Sequence, residues 1–322
     1  MRIGYKLCSE ERTAPQLVDD ARRAEAVGFS FAAISDHFHP WIEAQGQSPF
    51  VWSVLGAVAD ATSTLEVGTA VTCPTIRMHP AIVAQAAATV ATLAEGRFFL
   101  GVGTGENLNE HVVARGWPNV EKRQRMLREA VDVVRALWEG DDVSIEGDFH
   151  VVDHARLYSL PPSPPPVYVA ASGPASATLA GEVGDGLIAT SPEAELVDRF
   201  VGSGGRGPRL AEILVCVGDD ADAAMRTVLE RWPLPAIPGP LTAELPLPKH
   251  FEAAASSVRK DDLQDSVTVG ADPCDYLTAI RRYAEAGFDH VILHQIGPDQ
   301  ERFFRFVEDE LLPVVDRELR VA

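Results

Sequence analysis

Three short clusters in this sequence carry more chemistry than scaffolding needs. Ser35–Trp41 reads SDHFHPW and follows the apolar run FAAI. It admits three kinds of chemistry. Asp36 can cap a helix while the histidines sit on the surface. Asp36, His37 and His39 can bind a metal, with Glu106 or His294 as a fourth ligand, because His-x-His at a strand end suits zinc. Or His37 takes a proton and Trp41 stacks on a ligand. No remote strand end supplies a second histidine pair, so proton transfer is favoured and no metal is expected.

The second cluster is GVGTGEN, Gly101–Asn107. Its glycines let a flat or anionic ligand approach the backbone closely. A glycine run alone equally makes a tight strand-to-helix turn. Glu106 tilts the reading toward function, because a carboxylate on a ligand-approach loop suits proton transfer. The third is ASGPASA, Ala171–Ala177. Free N–H groups at the start of a helix there would seat a phosphate. A plain N-cap by Ser172 explains the same residues.

These clusters must be held by the elements around them. Apolar, strand-like runs alternate with helix-period segments: RIGYKLC, FAAISDH, LEVGTAVTC, RFFLGVGTG, VYVAAS, LIATS, ILVCVG and HVILHQI, each with a helical stretch behind it. Repeated strand–helix units imply a parallel sheet covered on both faces. Eight of them favour an α/β fold of the closed (β/α)8 TIM-barrel type. A doubly wound open sheet is the alternative, but the first unit lacks a GxGxxG start.

Active sites of such barrels lie at the C-terminal ends of the strands. Past strand one come Ser9, Glu10 and Glu11, and past strand two come Asp36 to Trp41. Past strand three come Thr72, Cys73, Thr75 and Arg77, and past four Thr104, Gly105, Glu106 and Asn107. Ser172 and Gly173 follow strand five, Thr190 and Ser191 strand six, and His294 and Gln295 strand eight. Acids, imidazoles and a tryptophan thus share one rim.

Two segments interrupt the alternation. Val143–Pro166 reads as a surface β-hairpin with a proline-stiffened return. Trp232–Ser266 is too long for an ordinary connection and reads as a lid. No linker divides the chain, so residues 1–322 are expected to form one domain with these two insertions.

Composition narrows the function. With 28 basic against 47 acidic residues, the net charge of −19 makes nucleic acid and anionic membranes poor partners. No run approaches the ~20 apolar residues of a membrane span. The N-terminus lacks the apolar core of a signal peptide. Cys8, Cys73, Cys216 and Cys274 are scattered with no CxxC, which suits a reduced, cytoplasmic setting and small core residues.

Taken together, IGYKLCSEE, SDHFHPW, GTAVTCPTIRMHPAIVAQ, FFLGVGTGENLNE, PVYVAASGP, GDGLIATS and AEAGFDHVILHQIGPDQERF resemble the luciferase-like superfamily of flavin and deazaflavin barrels. The chain is most similar to the F420-dependent glucose-6-phosphate dehydrogenase group. The pairing of SDHFHPW with GVGTGENLNE is specific; the other stretches are general to the superfamily. The resemblance implies an oxidoreductase that binds coenzyme F420 in the barrel mouth and takes hydride from a sugar or related alcohol.

By position, His37 would be the base, Glu106 the acid at the cofactor ring, Trp41 a stabiliser of developing charge and Glu10 part of the same proton network. Asp36, Cys73, Thr104, Gly105 and Asn107 would line the cofactor. Ala70–Val71 matches the family's non-prolyl cis peptide, and Ser172 with Gly173 its phosphate turn. Lys249, His250, Thr190, Ser191 and His294 would face the substrate. A homodimer is implied too; the stretch with Phe50, Trp52 and Leu55 could face a partner or the core.

One departure bears on the substrate. The group clamps a sugar phosphate with two lysines and an arginine. Here only Lys249 remains; the other lysine position carries Pro192–Glu193, and the arginine position falls near Ser266. His250, Arg259 or Lys260 would have to compensate. A neutral sugar or other alcohol is therefore expected, with the sugar phosphate close behind. The competing functions are an FMN-dependent monooxygenase of the same superfamily and a metal-dependent barrel hydrolase using Asp36, His37 and His39.

Overall fold

Alternate residues along the same strands belong to two different cores, and this alternation fixes the architecture. The computed structural model describes residues 1–319. Eight parallel strands close on themselves: β1 (Arg2–Leu7), β2 (Phe31–Ile34), β3 (Glu66–Thr69), β4 (Phe98–Val102), β7 (Val167–Ala170), β8 (Gly186–Ala189), β9 (Arg209–Cys216) and β11 (His290–Gln295). They pair in that order, β8 pairs with β9, and β11 returns to β1. The expected (β/α)8 barrel is therefore the fold.

Ile3, Tyr5, Leu7, Val67, Leu100, Val169 and Leu293 face outward into the layer between strands and helices. Phe31, Ala33, Phe99, Tyr168, Ile188, Leu210 and Ile292 fill the lumen. Such period-two sorting is what a closed sheet requires. Two glycines make room for the lumen rings. A Cβ on Gly4 would lie 2.4 Å from the Phe31 ring, and one on Gly68 would lie 2.3 Å from that of Phe99. Helices start where short polar side chains catch free N–H groups. Asn119 accepts from Lys122 N–H, Asp220 from Asp222 and Ala223, and Asp272 from Cys274.

Both insertions are ordered elements. The first holds the antiparallel hairpin β5 (Val143–Glu146) and β6 (Val151–Ala155). The second folds into helical turns at Leu234–Ala236, Leu241–Glu244, Pro248–Ala255 and Lys260–Asp262. Trp232, Leu234, Ile237, Phe251 and Leu263 from it share a core with Cys8, Ile42 and Leu108, with Trp41 packed against them. It covers the mouth, as a lid does. Just past it lies a strand that periodicity did not reveal, β10 (Val267–Val269), which pairs with β9 outside the barrel. At three residues it is too short to carry a period.

Some residues lie elsewhere than expected. Cys8, Cys73 and Cys216 are buried, but Cys274 is exposed in the first turn of its helix. In the helix after β2, Trp52 and Leu55 are core and only Phe50 faces out, 54% exposed. No helix among the described residues is long and apolar enough to cross a membrane.

Candidate active site

The chain leaves β2 through SDHFHPW, and each residue of that turn is held by something specific. His37 is 9% exposed. Its Nδ1 lies 3.1 Å from the His39 carbonyl, which can only accept, so Nδ1 carries the hydrogen. Nε2 is then the basic nitrogen, and it sits 3.4 Å from Glu10 Oε1. The imidazole packs at 4.9 Å on Trp41, which meets Phe251 of the lid edge-on at 5.2 Å.

Glu10 comes from the turn after β1 and is buried. Ser9 and Ser35 hydroxyls and the Cys8 thiol donate to its Oε2. Burial opposes its ionisation, but a charged His37, Lys6 and the Ser35 hydroxyl overcome that and hold it below the usual range. A proton reaching His37 Nε2 would therefore be held by a carboxylate ready for it.

A second charged group stands beside the first. Asp36 accepts from Thr72 Oγ1 at 2.8 Å and from the Arg77 guanidinium at 2.8 Å. The Arg77 N–H donates to Glu110 Oε2 at 2.6 Å, and its Nε lies 3.5 Å from Glu110 Oε1. Burial pushes Glu110 up to about 7; Arg77 pulls against it, while Glu106 and Asp36 add to the rise. Asn109 joins the two loops. Its Oδ1 accepts from the Phe38 and His39 N–H groups at 2.9 and 3.3 Å, and its Nδ2 donates to Glu106 Oε2 at 3.4 Å. His37 and Glu106 thus share one rim, linked through a single side chain.

Below the rim, the lumen holds a buried ionic layer. Lys6 Nζ donates to Glu212 Oε2 at 2.8 Å and to the Ala70 carbonyl at 3.0 Å. Glu212 Oε1 accepts from His294 Nδ1 at 2.8 Å. Burial would favour neutral forms of both partners. Instead Glu212 and Glu10 raise the Lys6 pKa, and Lys6 with His294 drives Glu212 well below the usual carboxylate range. The Ala70–Val71 peptide above Lys6 is cis, the geometry the resemblance implied. The glycines of GVGTG lie flush on this bulge. A Cβ on Gly103 would come within 2.6 Å of Val71 Cγ2, and one on Gly105, whose φ is +78°, within 2.6 Å of Cys73 Sγ.

The remaining expected residues are placed as follows. Thr104, Gly105, Glu106 and Asn107 are half-buried on the rim. Asn107 Nδ2 donates to the Glu244 carbonyl at 2.9 Å, tying this loop to the lid. Cys73 is buried against Thr75 Oγ1 at 3.0 Å. The N–H groups of Ser172 and Gly173 are not free, since both donate to Ser176 Oγ at 3.2 Å. The N-cap is Gly173, not Ser172. Thr190 and Lys249 are exposed, Ser191 and His250 half-buried. His294 is off the rim: it is 0% exposed and packs edge-on at 4.4 Å from Trp232.

The set Asp36, His37 and His39 does not converge on a metal. Asp36 is taken by Arg77, and His39 Nδ1 donates to the Leu108 carbonyl at 3.0 Å. Sequence reading passed over Lys6, Glu212, Asn109 and Glu110. The signal for the first two was a single charge inside each of the apolar strands RIGYKL and RLAEILVC. For Asn109 and Glu110 it was their place three and four residues past Glu106, on one helical face.

Comparison with known proteins places the chain in a family. Residues 1–290 match the model of the luciferase-like monooxygenase family. An F420-dependent glucose-6-phosphate dehydrogenase of Mycobacterium avium (strain 104) is 36% identical, with 98% of each chain covered. An F420-dependent hydroxymycolic acid dehydrogenase of Mycobacterium tuberculosis (strain ATCC 25618 / H37Rv) is 39% identical over 88% of this chain and 80% of its own. Among solved structures, an F420-dependent secondary alcohol dehydrogenase in complex with an F420-acetone adduct superposes with a TM-score of 0.90 at 32% identity, covering 98% of both chains.

Proposed function

The chain belongs to the family of luciferase-like monooxygenases, and we propose that it oxidises an unphosphorylated alcohol, a sugar or a simpler secondary alcohol, with His37 as base. It is an F420-dependent oxidoreductase acting on a CH–OH group, as are relatives spanning nearly its whole length. The observation that carries the mechanism is His37 Nε2 set against a buried Glu10 on the same rim as Glu106.

The site suits a flat ring. Half-buried Ala70 and Val71 with the flush glycine loop make a low wall of apolar and backbone atoms. Val71, Thr104, Gly105 and Asn107 would hold the ring, with buried Cys73 packing behind Gly105. Ser172 and Gly173 would hold the cofactor phosphate once Ser176 Oγ gives up their N–H groups. Asp36 would act by fixing its loop, because its carboxylate is spent on Arg77 and Thr72. Bound F420 supplies a ring carbon that accepts hydride.

The chain's residues supply the rest. Hydride leaves a carbinol carbon readily only if the hydroxyl proton goes with it, so a base near neutrality is needed within ~3 Å. His37 Nε2 fills that role, and Glu10 stabilises the imidazolium. Glu106 would offer a hydrogen bond at the ring nitrogen, where negative charge grows. Trp41 and Phe251 close an apolar wall over the substrate and exclude water.

The cation supply supports an unphosphorylated substrate. Lys249 is exposed and has no ion-pair partner among the described residues. Lys260 is spent on Asp222 at 3.1 Å, and Arg231 lies 3.6 Å from Glu11. Exposed Glu193 stands beside Thr190 and Ser191 and repels a dianion. The test is F420 reduction by 2-propanol, glucose and glucose 6-phosphate. Neutral alcohols should be turned over, and Lys249→Ala should change their kcat/KM less than about threefold, as for a solvated surface charge. Glucose 6-phosphate turnover at micromolar KM, abolished by Lys249→Ala, would overturn the substrate proposal. A cytoplasmic homodimer completes the reading, with exposed Phe50 as one apolar contact; light scattering would read the mass.

A further inference from the structure

We propose that Cys8, Glu11 and His294 form a binding site for a divalent metal of the zinc class, in the lumen wall behind Glu10. Cys8 and Glu11 follow β1, and His294 lies in the neighbouring β11. One ligand atom from each of the three lies within 4.8 Å of the other two, the only such group among the described residues.

His294 carries the inference. Its ring is fully buried, and Nδ1 is bonded to Glu212 Oε1 at 2.8 Å. Glu212 also accepts from Lys6 Nζ, so Nδ1 is the donor to its carboxylate. Nε2 is buried with no hydrogen-bond partner. A histidine anchored by a carboxylate on one nitrogen, with the other free, is the arrangement that orients metal-binding imidazoles.

Glu11 presents a second orphan. Its side chain is 3% exposed. Oε2 accepts from the Gly297 N–H at 3.1 Å, while Oε1 is buried with no hydrogen bond and lies 3.6 Å from the Arg231 guanidinium. No ion pair joins Glu11 to His294. Two buried atoms without a hydrogen bond thus belong to residues whose ligand atoms lie within 4.8 Å of one another. Cys8 Sγ is the third corner, its hydrogen now directed at Glu10 Oε2 at 3.4 Å.

The donor set of sulfur, nitrogen and oxygen selects zinc, cobalt or iron over magnesium or calcium. On binding, the Cys8 thiol loses its proton to solvent and an S–metal bond forms. A thiolate and a carboxylate then match the two positive charges of the metal. Ser9 and Ser35 still donate to Glu10 after the thiol hydrogen has gone. The metal has no step in hydride transfer, and the inference holds whether or not the F420 reading does.

The experiment uses the full chain, purified without chelator, before F420 is added. Equilibrium dialysis against zinc with elemental analysis should give about one metal per chain. Cobalt loading should give a thiolate-to-cobalt charge-transfer band. Cys8→Ser should remove that band, His294→Gln should weaken binding at least tenfold, and Glu212→Gln about 10–100-fold, the range for a lost outer-shell partner. The rival occupant is a buried water bridging Glu11 and His294. It predicts substoichiometric zinc and no cobalt band, and either result overturns the proposal. Should a variant fail to fold, the cobalt spectrum of a Cys274→Ser protein, which lacks the exposed thiol, decides.

Discussion

Glu212 and Glu110 are two buried carboxylates near the same barrel mouth, yet their ionisation runs in opposite directions. Glu212 is held far below the usual range, while Glu110 is pushed up to about 7. Burial raises both. The neighbours differ. Glu212 touches Lys6 and His294. Glu110 shares one guanidinium, Arg77, with Asp36, and Glu106 stands near as a third acid. What separates the two regions is the count of cations against acids, not depth. On the β1, β9 and β11 side Glu212 has cations to match it; the β2, β3 and β4 side sets three acids against one guanidinium and holds a proton on Glu110 near neutrality.

The comparison is sharpest in catalysis. The proposed base, His37, leans on the balanced side through Glu10. The proposed acid, Glu106, belongs to the acid-rich side. His37→Gln should lower kcat for F420 reduction about 10²–10⁴-fold, the range for losing a positioned base. Glu106→Gln should cost less, about 10²-fold, because glutamine keeps a hydrogen-bond donor at the ring. Stopped-flow deazaflavin absorbance reads both. If Glu106→Gln is the more damaging, the roles assigned to the two sides are reversed.

The second break is structural. Lys6→Met leaves Glu212 buried with His294 alone and frees the Ala70 carbonyl. Removing one partner of a buried pair costs about 3–5 kcal/mol, since the other charge stays desolvated. Urea unfolding should show that loss, and adding Glu212→Gln should recover part of it. A Lys6→Met protein within about 1 kcal/mol of the parent would mean that ion pairing does not hold this side together.

Much of this was legible beforehand, for physical reasons. Strand alternation and helix period depend on local sequence, so the eight barrel strands, the hairpin insertion and the lid could be read from it. The chemistry at strand ends was legible because a barrel sends every C-terminal strand end to one rim. What escaped depended on distant partners. Lys6 and Glu212 lie 206 residues apart, and only the closed sheet brings them together. His294 looked like a rim residue, but Trp232 from the lid covers it. Glu110 looked like an ordinary helix residue; its shift comes first from burial and then from Glu106 and from Asp36, on another strand end.

The smallest effect tests the proton itself. Glu110 ionises near 4.5 when unfolded and at about 7 when folded. Between those values the folded chain keeps a proton that the unfolded chain has lost. Stability contributed by this group is therefore full below pH 4.5 and falls as pH rises through about 7. The shift corresponds to roughly 3 kcal/mol at most. Glu212 and Glu10 work with the opposite sign: their stabilisation is present above about 4.5 and disappears as pH falls below it. The two regions thus own different limbs of one pH–stability curve. Glu110→Gln should flatten the 4.5–7 decline while leaving the acid limb in place, because glutamine still accepts from the Arg77 N–H. Histidines titrate in the same window, so the informative quantity is the difference between variant and parent in urea titrations across it. A difference that does not change with pH would mean that Arg77 already holds Glu110 ionised, and the contrast between the two carboxylates would reduce to geometry alone.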